Sequence, residues 1–363
     1  MINSSFLLFF LKFIILTLFT LIPIILSVAF FTIFERKVLA SVQRRKGPSN
    51  IGIFGVLQPF ADGLKLLLKE ILVPFKSNFF FFILSPFFSF FISLLCWVAI
   101  PFNFYNFFID FSYSALIVLA INSFGVYSLV FPGISSYSKY TVMGSYRALS
   151  QFISYEILLS FVFLFIVLIC SSFSFLEIVL YQKLHLFLAL PLFPVFIIFF
   201  ISILAETSRS PFDLPEAESE LVSGYSTEYS ASIFTFFFLA EYSNMILWAF
   251  ILVFFFLGGW VFPFFSSFKY YIFFYFKCFI IKSNFFYLSF ILNFFYLSFI
   301  YFFYYFYIFF FFIKVLIVNF FFLLVRASYP RYRFDVLIFI SWKNFLPILM
   351  GYYIFLYGFL VYF

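Results

Sequence analysis

The feature that most limits how this chain can fold is a series of apolar runs, each long enough to cross a lipid bilayer. The first runs from Ile14 to Phe34 without a charged residue. A hydrocarbon core about 30 Å thick needs about 20 consecutive apolar residues in a helix. Across the chain 66% of residues are hydrophobic and 10% are charged, whereas a soluble domain is about half apolar and a quarter charged. The runs therefore predict an integral membrane protein.

The length of these runs favours helices over a transmembrane β-barrel, whose strands alternate apolar and polar residues with a period of two. We predict an all-α bundle of about eight transmembrane helices, forming a single membrane domain over residues 1–363. The first run is too long for the core of a signal peptide and lacks a small-residue cleavage site, so we expect it to be a retained helix. The predicted spans are 4–34, 79–101, 113–132, 152–172, 186–206, 230–258, 306–325 and 345–363.

An amphipathic surface helix is predicted between the first two spans, in the segment "VLQPFADGLKLLLKEI". Its apolar residues recur at helical spacing, while Asp62, Lys65 and Lys69 take the opposite face, and Pro59 suits a first helical turn. The pattern is typical of a helix that lies on the membrane or on a partner protein. A helix packed on the surface of its own chain is the alternative.

The positive charges predict which loops share one side of the membrane. Fifteen of the 21 Lys and Arg residues lie in four polar loops. Because Lys and Arg accumulate on the cytoplasmic side in bacteria, and correspondingly on the matrix side in mitochondria, we expect all four loops on that side. These loops are 35–78, 133–151, 206–229 and 326–344.

One Phe- and Tyr-rich insert, residues 264–312, has no clear topology. It contains "NFFYLSFI" twice, starting at positions 284 and 293. An identical repeat nine residues apart is typical of a local duplication and not of a solenoid, which needs several longer repeats. The insert could form a pair of lipid-facing helices or a re-entrant segment.

The cysteine and histidine content excludes several kinds of redox site within this chain. Cys96, Cys170 and Cys278 each lie alone in an apolar segment, and His185 is the only histidine. The pattern supports neither a disulfide framework nor a zinc or iron–sulfur site, and a bis-histidine haem would need a second histidine. Any electron carrier would lie in a partner or be a diffusible ligand.

A short acidic segment, "AETSRSPFDLPEAESELVSGYSTEYS", interrupts two apolar runs. It holds six of the chain's 14 acids: Glu206, Asp213, Glu216, Glu218, Glu220 and Glu228. A solvated connector is one interpretation. Against it, Arg209 follows Glu206 by about one turn, so the two can pair if the helix continues. Pro211 and Pro215 also restrict the backbone around Asp213.

Several ionisable residues fall inside or at the ends of predicted spans, among them Glu156, Glu206, Glu241 and Lys314. Ionisable groups at such depth normally face the bundle interior or a water-filled cavity and mark proton paths. A hydrogen-bonded structural group is the alternative for any one of them. As a set they favour proton conduction.

The last polar loop, "RASYPRYRFDVLIFISWKNFLPIL", places three arginines near one acid. We expect Arg326, Arg331 and Arg333 to offset the charge of Asp335, because arginine makes forked contacts with carboxylates. A purely positive-inside anchor would explain the arginines but not the acid.

Five segments together resemble one family, membrane subunit 1 of respiratory complex I, the proton-pumping NADH:quinone oxidoreductase. They occur in that family's order and extend over most of the chain, and the insert departs from the family's shorter connection. The segments are "ERKVLASVQRRKGPSNIGIFGVLQPFADGLKLLLKE", "YRALSQFISYE", "AETSRSPFDLPEAESELVSGYSTEYS", "FLAEYSNM" and "RASYPRYRFDVLIFISWKNFLP".

The resemblance implies that the protein forms part of the quinone cavity and carries no catalytic or metal-ligating residue of its own. It implies a proton relay or coupling role for Glu156, Glu206 and Glu241. The residues that match the quinone-cavity and loop region are Glu35, Arg36, Arg147, Arg209, Asp213, Glu216, Glu218, Tyr225, Glu228, Arg326, Arg331 and Asp335.

The resemblance also implies the partners. Ubiquinone would be the substrate, while FMN and the iron–sulfur clusters would lie in partner subunits and this chain would bind no cofactor. The polar loops would dock on the hydrophilic quinone-module subunits, small membrane subunits and lipids would lie alongside, and nucleic acid would play no part. The expected location is the mitochondrial inner membrane, or the plasma membrane of a bacterium.

Three other functions fit some of the same features. A related membrane subunit of an energy-converting hydrogenase would share the fold and some of the acids. A secondary transporter would contain an inverted repeat and broken midplane helices, and neither is visible here. A passive anchor for a soluble complex would leave Glu156 and Glu241 without a purpose.

Overall fold

The computed structural model describes residues 2–102, 112–215, 224–261 and 286–362, and within these ranges the chain is helical without a β-strand. Short 3₁₀ turns lie at Ile53–Gly55, Trp97–Ala99 and Gly224–Ser226, and a π-helical turn lies at Ile340–Phe345. The helices are α1 (Ile2–Val42), α2 (Gln58–Leu68), α3 (Phe79–Cys96), α4 (Ser114–Ser135), α5 (Lys139–Cys170), α6 (Phe175–Leu184), α7 (Phe193–Glu206), α8 (Ala231–Phe256), α9 (Phe286–Ser328), α10 (Phe334–Phe339) and α11 (Leu346–Tyr362).

Six helical segments in the described part of the chain are long and apolar enough to cross a membrane. Helix α7 is apolar too but has only 14 residues. The prediction of an all-helical membrane bundle is confirmed. The six segments are Phe79–Ala99, Ser114–Ser135, Lys139–Cys170, Ala231–Phe256, Phe306–Ser328 and Phe334–Tyr362.

Two helices extend well beyond their predicted spans and into the predicted polar loops. Helix α1 ends at Val42 and not at residue 34, because "ERKVLASV" consists mostly of residues that favour helix. Helix α5 begins at Lys139 and not at residue 152. The Ser138 hydroxyl accepts a hydrogen bond from the backbone N–H of Thr141 at 3.3 Å, which caps the helix at this earlier start.

Helix α8 lies in the centre of the bundle. Every residue from Met245 to Phe256 is buried. A helix that is apolar on all sides is expected to be surrounded by other helices, and α8 packs against α3 and α9 as well as α1 and α2. Its first half carries Glu241 and Tyr242, so these two polar residues are placed at the centre of the fold.

The C-terminal end of α8 is capped by two side chains from other helices. The Lys314 ammonium donates hydrogen bonds to the carbonyl oxygens of Leu257, Gly259 and Val261 at 2.7, 2.9 and 2.7 Å. The Gln182 amide donates to the last carbonyls of the helix itself. A cation is also favourable at the negative end of a helix dipole. Lys314, one of the ionisable residues predicted within the spans, thus acts as a structural cap.

At each of the two ends of the bundle, backbone hydrogen bonds join neighbouring chain segments. At the first end lie the C-terminal ends of α1, α7 and α9 and the N-terminal end of α5, next to the four predicted polar loops. The opposite ends of α5, α7 and α9 lie at the second end of the bundle. The backbone pairs are Asn78 with Ser135 and Tyr332 with Pro211 at the first end, and Ala115 with Phe173 and Ala189 with Phe256 at the second.

The predicted amphipathic helix is α2, and its apolar face is not covered by the described part of the chain. No residue of α2 is buried. Leu64, Leu67 and Leu68 are 61%, 65% and 85% exposed. This is the exposure expected of a helix that lies on a membrane surface or on a partner.

Part of the Phe- and Tyr-rich insert lies outside the described residues, namely 264–285. From Phe286 onward the insert is helical and continuous with α9. The predicted span at 306–325 therefore lies within one helix of 43 residues, which begins 20 residues before the span.

Candidate functional site

The described parts of the acidic segment fold into the bundle. Arg209, Asp213 and Tyr225 are 5%, 8% and 2% exposed. A solvated connector would leave these side chains in water, so the burial favours a built site. Glu216, Glu218 and Glu220 lie outside the described residues.

A close contact between two glycines lets the segment enter the bundle. A Cβ atom added at Gly144 of α5 would lie 2.8 Å from the backbone of Gly224. Gly224 itself has a φ of +58°, a conformation that favours glycine. The absence of side chains at both positions lets the turn at 224–226 lie against α5, which directs the neighbouring Tyr225 towards α8.

The far end of the segment is fixed by Tyr229. Its ring stacks on Phe82 of α3 with centroids 4.2 Å apart. Its hydroxyl lies 3.0 Å from the Ser85 hydroxyl and 3.3 Å from the Ser135 hydroxyl. Burial raises the pKa of Tyr229, and the hydrogen bonds from Ser135 and Ser85 lower it in part. The phenol therefore stays neutral and holds the segment between α3 and α4.

Glu241 is the centre of one polar cluster. The Tyr225 hydroxyl donates a hydrogen bond to Glu241 Oε1 at 2.8 Å. The Arg209 guanidinium lies 3.7 Å from Glu241 Oε2. The same guanidinium lies over the Tyr242 ring, 4.5 Å from its centroid, so it is held by both charge and ring face.

Glu35 is the centre of a second cluster, and Tyr242 connects the two. The Tyr242 hydroxyl donates to Glu35 Oε2 at 2.6 Å. Arg326 of α9 forms an ion pair with Glu35 Oε1. The Glu35 side chain is only 4% exposed, so it needs this countercharge to remain ionised. A continuous series of polar contacts thus runs from Glu241 through Arg209 and Tyr242 to Glu35 and Arg326.

Glu206 does not form the predicted pair with Arg209. Helix α7 ends at Glu206, and the chain turns through Ser208, whose φ is +51°. Arg209 therefore leaves the helical face of Glu206 and points to α8. The Glu206 carboxylate instead accepts a hydrogen bond from the Asn122 amide of α4 at 2.6 Å, and it interacts electrostatically with Glu156 of α5.

The arginines of the last loop do not gather around Asp335 as predicted. Arg331 pairs with Asp213 of the acidic segment, with Nη2 3.0 Å from Oδ2, and Arg326 pairs with Glu35. Only Arg333 lies near Asp335, at 3.4 Å, and both side chains are exposed. The prediction is wrong for two of the three arginines, because buried acids elsewhere bind them more strongly than an exposed acid does.

The remaining predicted residues lie at the margin of these clusters. Arg36 pairs with Asp62 of α2 at 2.6 Å, so α1 and α2 are joined. Arg147 lies over the Phe334 ring at 5.9 Å. Glu228 is half-buried in the turn before α8. In the described ranges no group of three or more His, Cys, Asp or Glu residues could hold a metal ion.

Sequence reasoning missed three polar residues that the structure places at the site. Asn122 is the hydrogen-bond donor to Glu206. Gln151 donates to the carbonyl oxygens on both sides of the turn after α7, at 2.7 Å each. Tyr242 contacts both clusters. The one available signal was a single amide in an apolar run, as in "LIVLAINSFGV", and such an amide is common enough in helices to carry little weight alone.

Comparison with known proteins agrees with the resemblance of the five segments. The family model described as NADH dehydrogenase matches residues 15–357. NADH-ubiquinone oxidoreductase chain 1 of Arabidopsis thaliana is 42% identical over 90% of each chain, and that of Chondrus crispus is 40% identical over 94% of each. A bacterial NADH-quinone oxidoreductase subunit, from Ehrlichia ruminantium (strain Gardel), is 41% identical over 99% of this chain and 91% of its own length.

The family match covers far more than the polar loops that carry the resemblance. It includes α3, α4 and α8, where apolar residues predominate. The bacterial relative aligns over nearly the whole chain, so the likeness is not limited to one motif. The chain therefore belongs to the NADH dehydrogenase family.

Proposed function

We propose that this chain is a membrane subunit of the proton-pumping NADH:quinone oxidoreductase. In that enzyme it forms part of the quinone-binding cavity and couples quinone reduction to proton translocation through buried acids. The names of the relatives support this assignment. They favour it over an energy-converting hydrogenase, a secondary transporter or a passive anchor.

The observation that carries the proposal is the series of contacts from Glu241 through Arg209 and Tyr242 to Glu35 and Arg326. It crosses α8, α1 and α9 and includes the turn after α7. Ionisable groups are costly inside a membrane bundle and are typically functional there. A purely structural bundle of this composition would have no need of them.

The arrangement gives each acid a defined role. Reduction of a quinone to a quinol takes up two electrons and two protons. When a proton leaves one of these acids, the carboxylate that remains is stabilised by a neighbouring guanidinium or phenol, namely Arg209 and Tyr225 for Glu241. Glu156 of α5 and Glu206 at the end of α7 would carry the change of charge sideways. Moving one charge across 100 mV is worth about 2.3 kcal/mol.

The proposal extends to partners and location. Hydrophilic subunits of the quinone module would dock on the polar loops and would hold the FMN and iron–sulfur clusters, and small membrane subunits would pack alongside. Ubiquinone would be the acceptor. The mitochondrial inner membrane is the proposed location, and the likeness to NADH-ubiquinone oxidoreductase chain 1 of Arabidopsis thaliana and Chondrus crispus supports it.

The experiment that tests this function replaces Arg209 in the assembled enzyme. We expect Arg209→Met to lower the rate of quinone reduction by about tenfold or more, since 1.4 kcal/mol of lost stabilisation is a factor of about ten. We expect Arg209→Lys to keep only part of the normal rate of quinone reduction, because lysine cannot make the planar stack on Tyr242. Lys183→Met is the control, because Lys183 is exposed at the opposite end of the bundle. An assembled Arg209→Met enzyme with normal quinone kinetics would overturn the proposal.

A further inference from the structure

Glu206 differs from the other acids of the site in the kind of partner it has. Glu35 pairs with Arg326, Asp213 with Arg331, and Glu241 with Arg209. Within the described residues Glu206 has no ion-pair partner, although its side chain is buried. Its one hydrogen-bond partner there is the Asn122 amide, at 2.6 Å from Oε1.

The position of Asn122 makes this contact specific. It lies eight residues after the start of α4, about 12 Å along the helix axis at 1.5 Å per residue. The neighbouring sequence, "LIVLAINSFGV", offers only Ser123 as a second polar side chain. The Ser123 hydroxyl donates to the carbonyl oxygen of Ala120 in its own helix. Asn122 is thus the residue through which α4 reaches Glu206.

A neutral amide can serve both protonation states of a carboxyl group. Its N–H donates to the carboxylate, as the structure has it. When a proton is on Oε2, the same N–H can still donate to Oε1, which is then the carbonyl oxygen of the acid. A guanidinium is positively charged and therefore favours the carboxylate over the protonated acid. The partner of Glu206 therefore suits an acid that gains and loses a proton, whereas the partners of Glu35 and Asp213 suit acids that remain ionised.

The second oxygen of Glu206 is also informative. Oε2 is buried and has no hydrogen-bond partner among the described residues. A buried acceptor without a partner is uncommon and requires an explanation. With Oε1 held by Asn122, the carboxyl group is fixed in orientation and Oε2 is the oxygen at which a proton can be exchanged. Glu156 is the other acid that interacts electrostatically with this group.

We propose that Asn122 is a positioning residue that holds the Glu206 carboxyl group in both of its protonation states and so permits proton exchange at Oε2. The inference rests on the proposed coupling function of Glu206. It assigns a part in proton transfer to α4, a helix that contains no charged residue.

The experiment compares four assembled enzymes: Asn122→Leu, Asn122→Thr, Glu206→Gln and the control Ser123→Ala. Redox-induced infrared difference spectra identify the carboxyl C=O band that Glu206→Gln abolishes. We expect Asn122→Leu to move that band to higher wavenumber, since its hydrogen bond is lost, and to lower the protons pumped per NADH to the value of Glu206→Gln. Asn122→Thr keeps a hydrogen-bond donor and an acceptor, so it should partly restore the position of the band and the number of protons pumped per NADH. Ser123→Ala should change neither of these two quantities.

The outcomes separate this inference from the function on which it rests. If Glu206→Gln removes no band and pumps normally, the proposed role of Glu206 fails and that of Asn122 fails with it. If Glu206→Gln loses the carboxyl band and pumps fewer protons per NADH, but Asn122→Leu keeps the normal band and the normal ratio, only the role of Asn122 is overturned. If Asn122→Leu lowers the amount of assembled enzyme but leaves the band and the pumping ratio per enzyme unchanged, Asn122 is structural and the inference is wrong.

Discussion

At the scale of single residues, the acids of the site differ in what stabilises them. Glu35 and Glu241 each contact a guanidinium and a tyrosine hydroxyl, whereas Glu206 contacts an amide. A buried charge that loses its only countercharge is strongly destabilising. The ion pairs, together with the hydrogen bond from Tyr242 to Glu35, therefore connect helices α1, α8 and α9 as well as setting the charge of the site.

The pair formed by Glu35 and Arg326 gives a direct stability prediction. Arg326→Met should destabilise the assembled enzyme by about 3–5 kcal/mol, because Glu35 remains buried without its partner. The double variant Glu35→Gln with Arg326→Met should recover part of this loss. Thermal inactivation measures each effect. The control Arg333→Met removes an exposed pair and should cost about 1 kcal/mol or less.

The result that would contradict this pairing is additivity. If the double variant loses as much stability as the two single variants together, Glu35 and Arg326 do not interact energetically, since independent sites add.

The sequence was sufficient to predict which acids lie within the spans, but not which groups they contact. Arg209 is one turn from Glu206 in sequence, and the predicted pair required α7 to continue. The helix ends at Glu206, so the two side chains diverge. Asn122 and Tyr242 come from other helices, and helical packing alone decides which side chains meet. Which side chains contact an acid therefore depends on the tertiary packing of the helices, and sequence spacing alone does not predict it.

At the scale of elements, the contact of α5 with the turn at 224–226 places the acidic segment inside the bundle. The existence of most helices was predictable from the apolar runs, because bilayer thickness sets their length. Their ends were not, because hydropathy falls at the membrane surface while the helix continues. Helix α5 illustrates this, since it begins at the Ser138 cap and carries Arg147 and Glu156 on one continuous element.

The close approach at Gly144 gives a prediction with a matched control. Gly144→Ala should destabilise the enzyme by about 1–3 kcal/mol, because its methyl group would lie 2.8 Å from the backbone of Gly224 and force the turn away from α5. Gly125→Ala in α4 has nothing within 4 Å of the added atom. That change should be neutral or stabilise the enzyme by roughly 0.5–1 kcal/mol.

Thermal inactivation and the yield of assembled enzyme check both variants. Equal behaviour of Gly144→Ala and Gly125→Ala would mean that the turn does not press against α5. Lower quinone reductase activity in Gly144→Ala would further connect this contact to the site, since Tyr225 follows Gly224 directly.

At the scale of the whole molecule, the distribution of charged and hydrogen-bonding groups distinguishes the two ends of the bundle. The polar-loop end contains Glu35, Arg209 and Arg326, and the opposite end contains the Lys314 cap and α6. Because positive charge accumulates on the cytoplasmic or matrix side, the first end should face that side. The site would then lie where hydrophilic subunits can reach it.

Labelling from each side of a sealed vesicle tests this orientation. A membrane-impermeant thiol reagent should reach Lys139→Cys only from the matrix or cytoplasmic side. It should reach Lys183→Cys only from the opposite side, because the two residues lie at opposite ends of the bundle. Both lysines are exposed, and the native Cys96 and Cys170 are buried. Cys278, which lies outside the described residues, is replaced by serine in both variants. Labelling of both positions from one side would contradict the proposed topology.

The central claim is that the half-buried Glu241 in α8 couples electron transfer to proton movement, and the ratio of protons pumped to NADH oxidised tests it most directly. In enzyme reconstituted into vesicles, Glu241→Gln should lower this ratio more than it lowers the amount of assembled enzyme, because the amide keeps the shape but cannot exchange a proton. Glu177→Gln, an exposed acid on α6, should leave the ratio unchanged. A Glu241→Gln enzyme that pumps at the normal ratio would contradict the account.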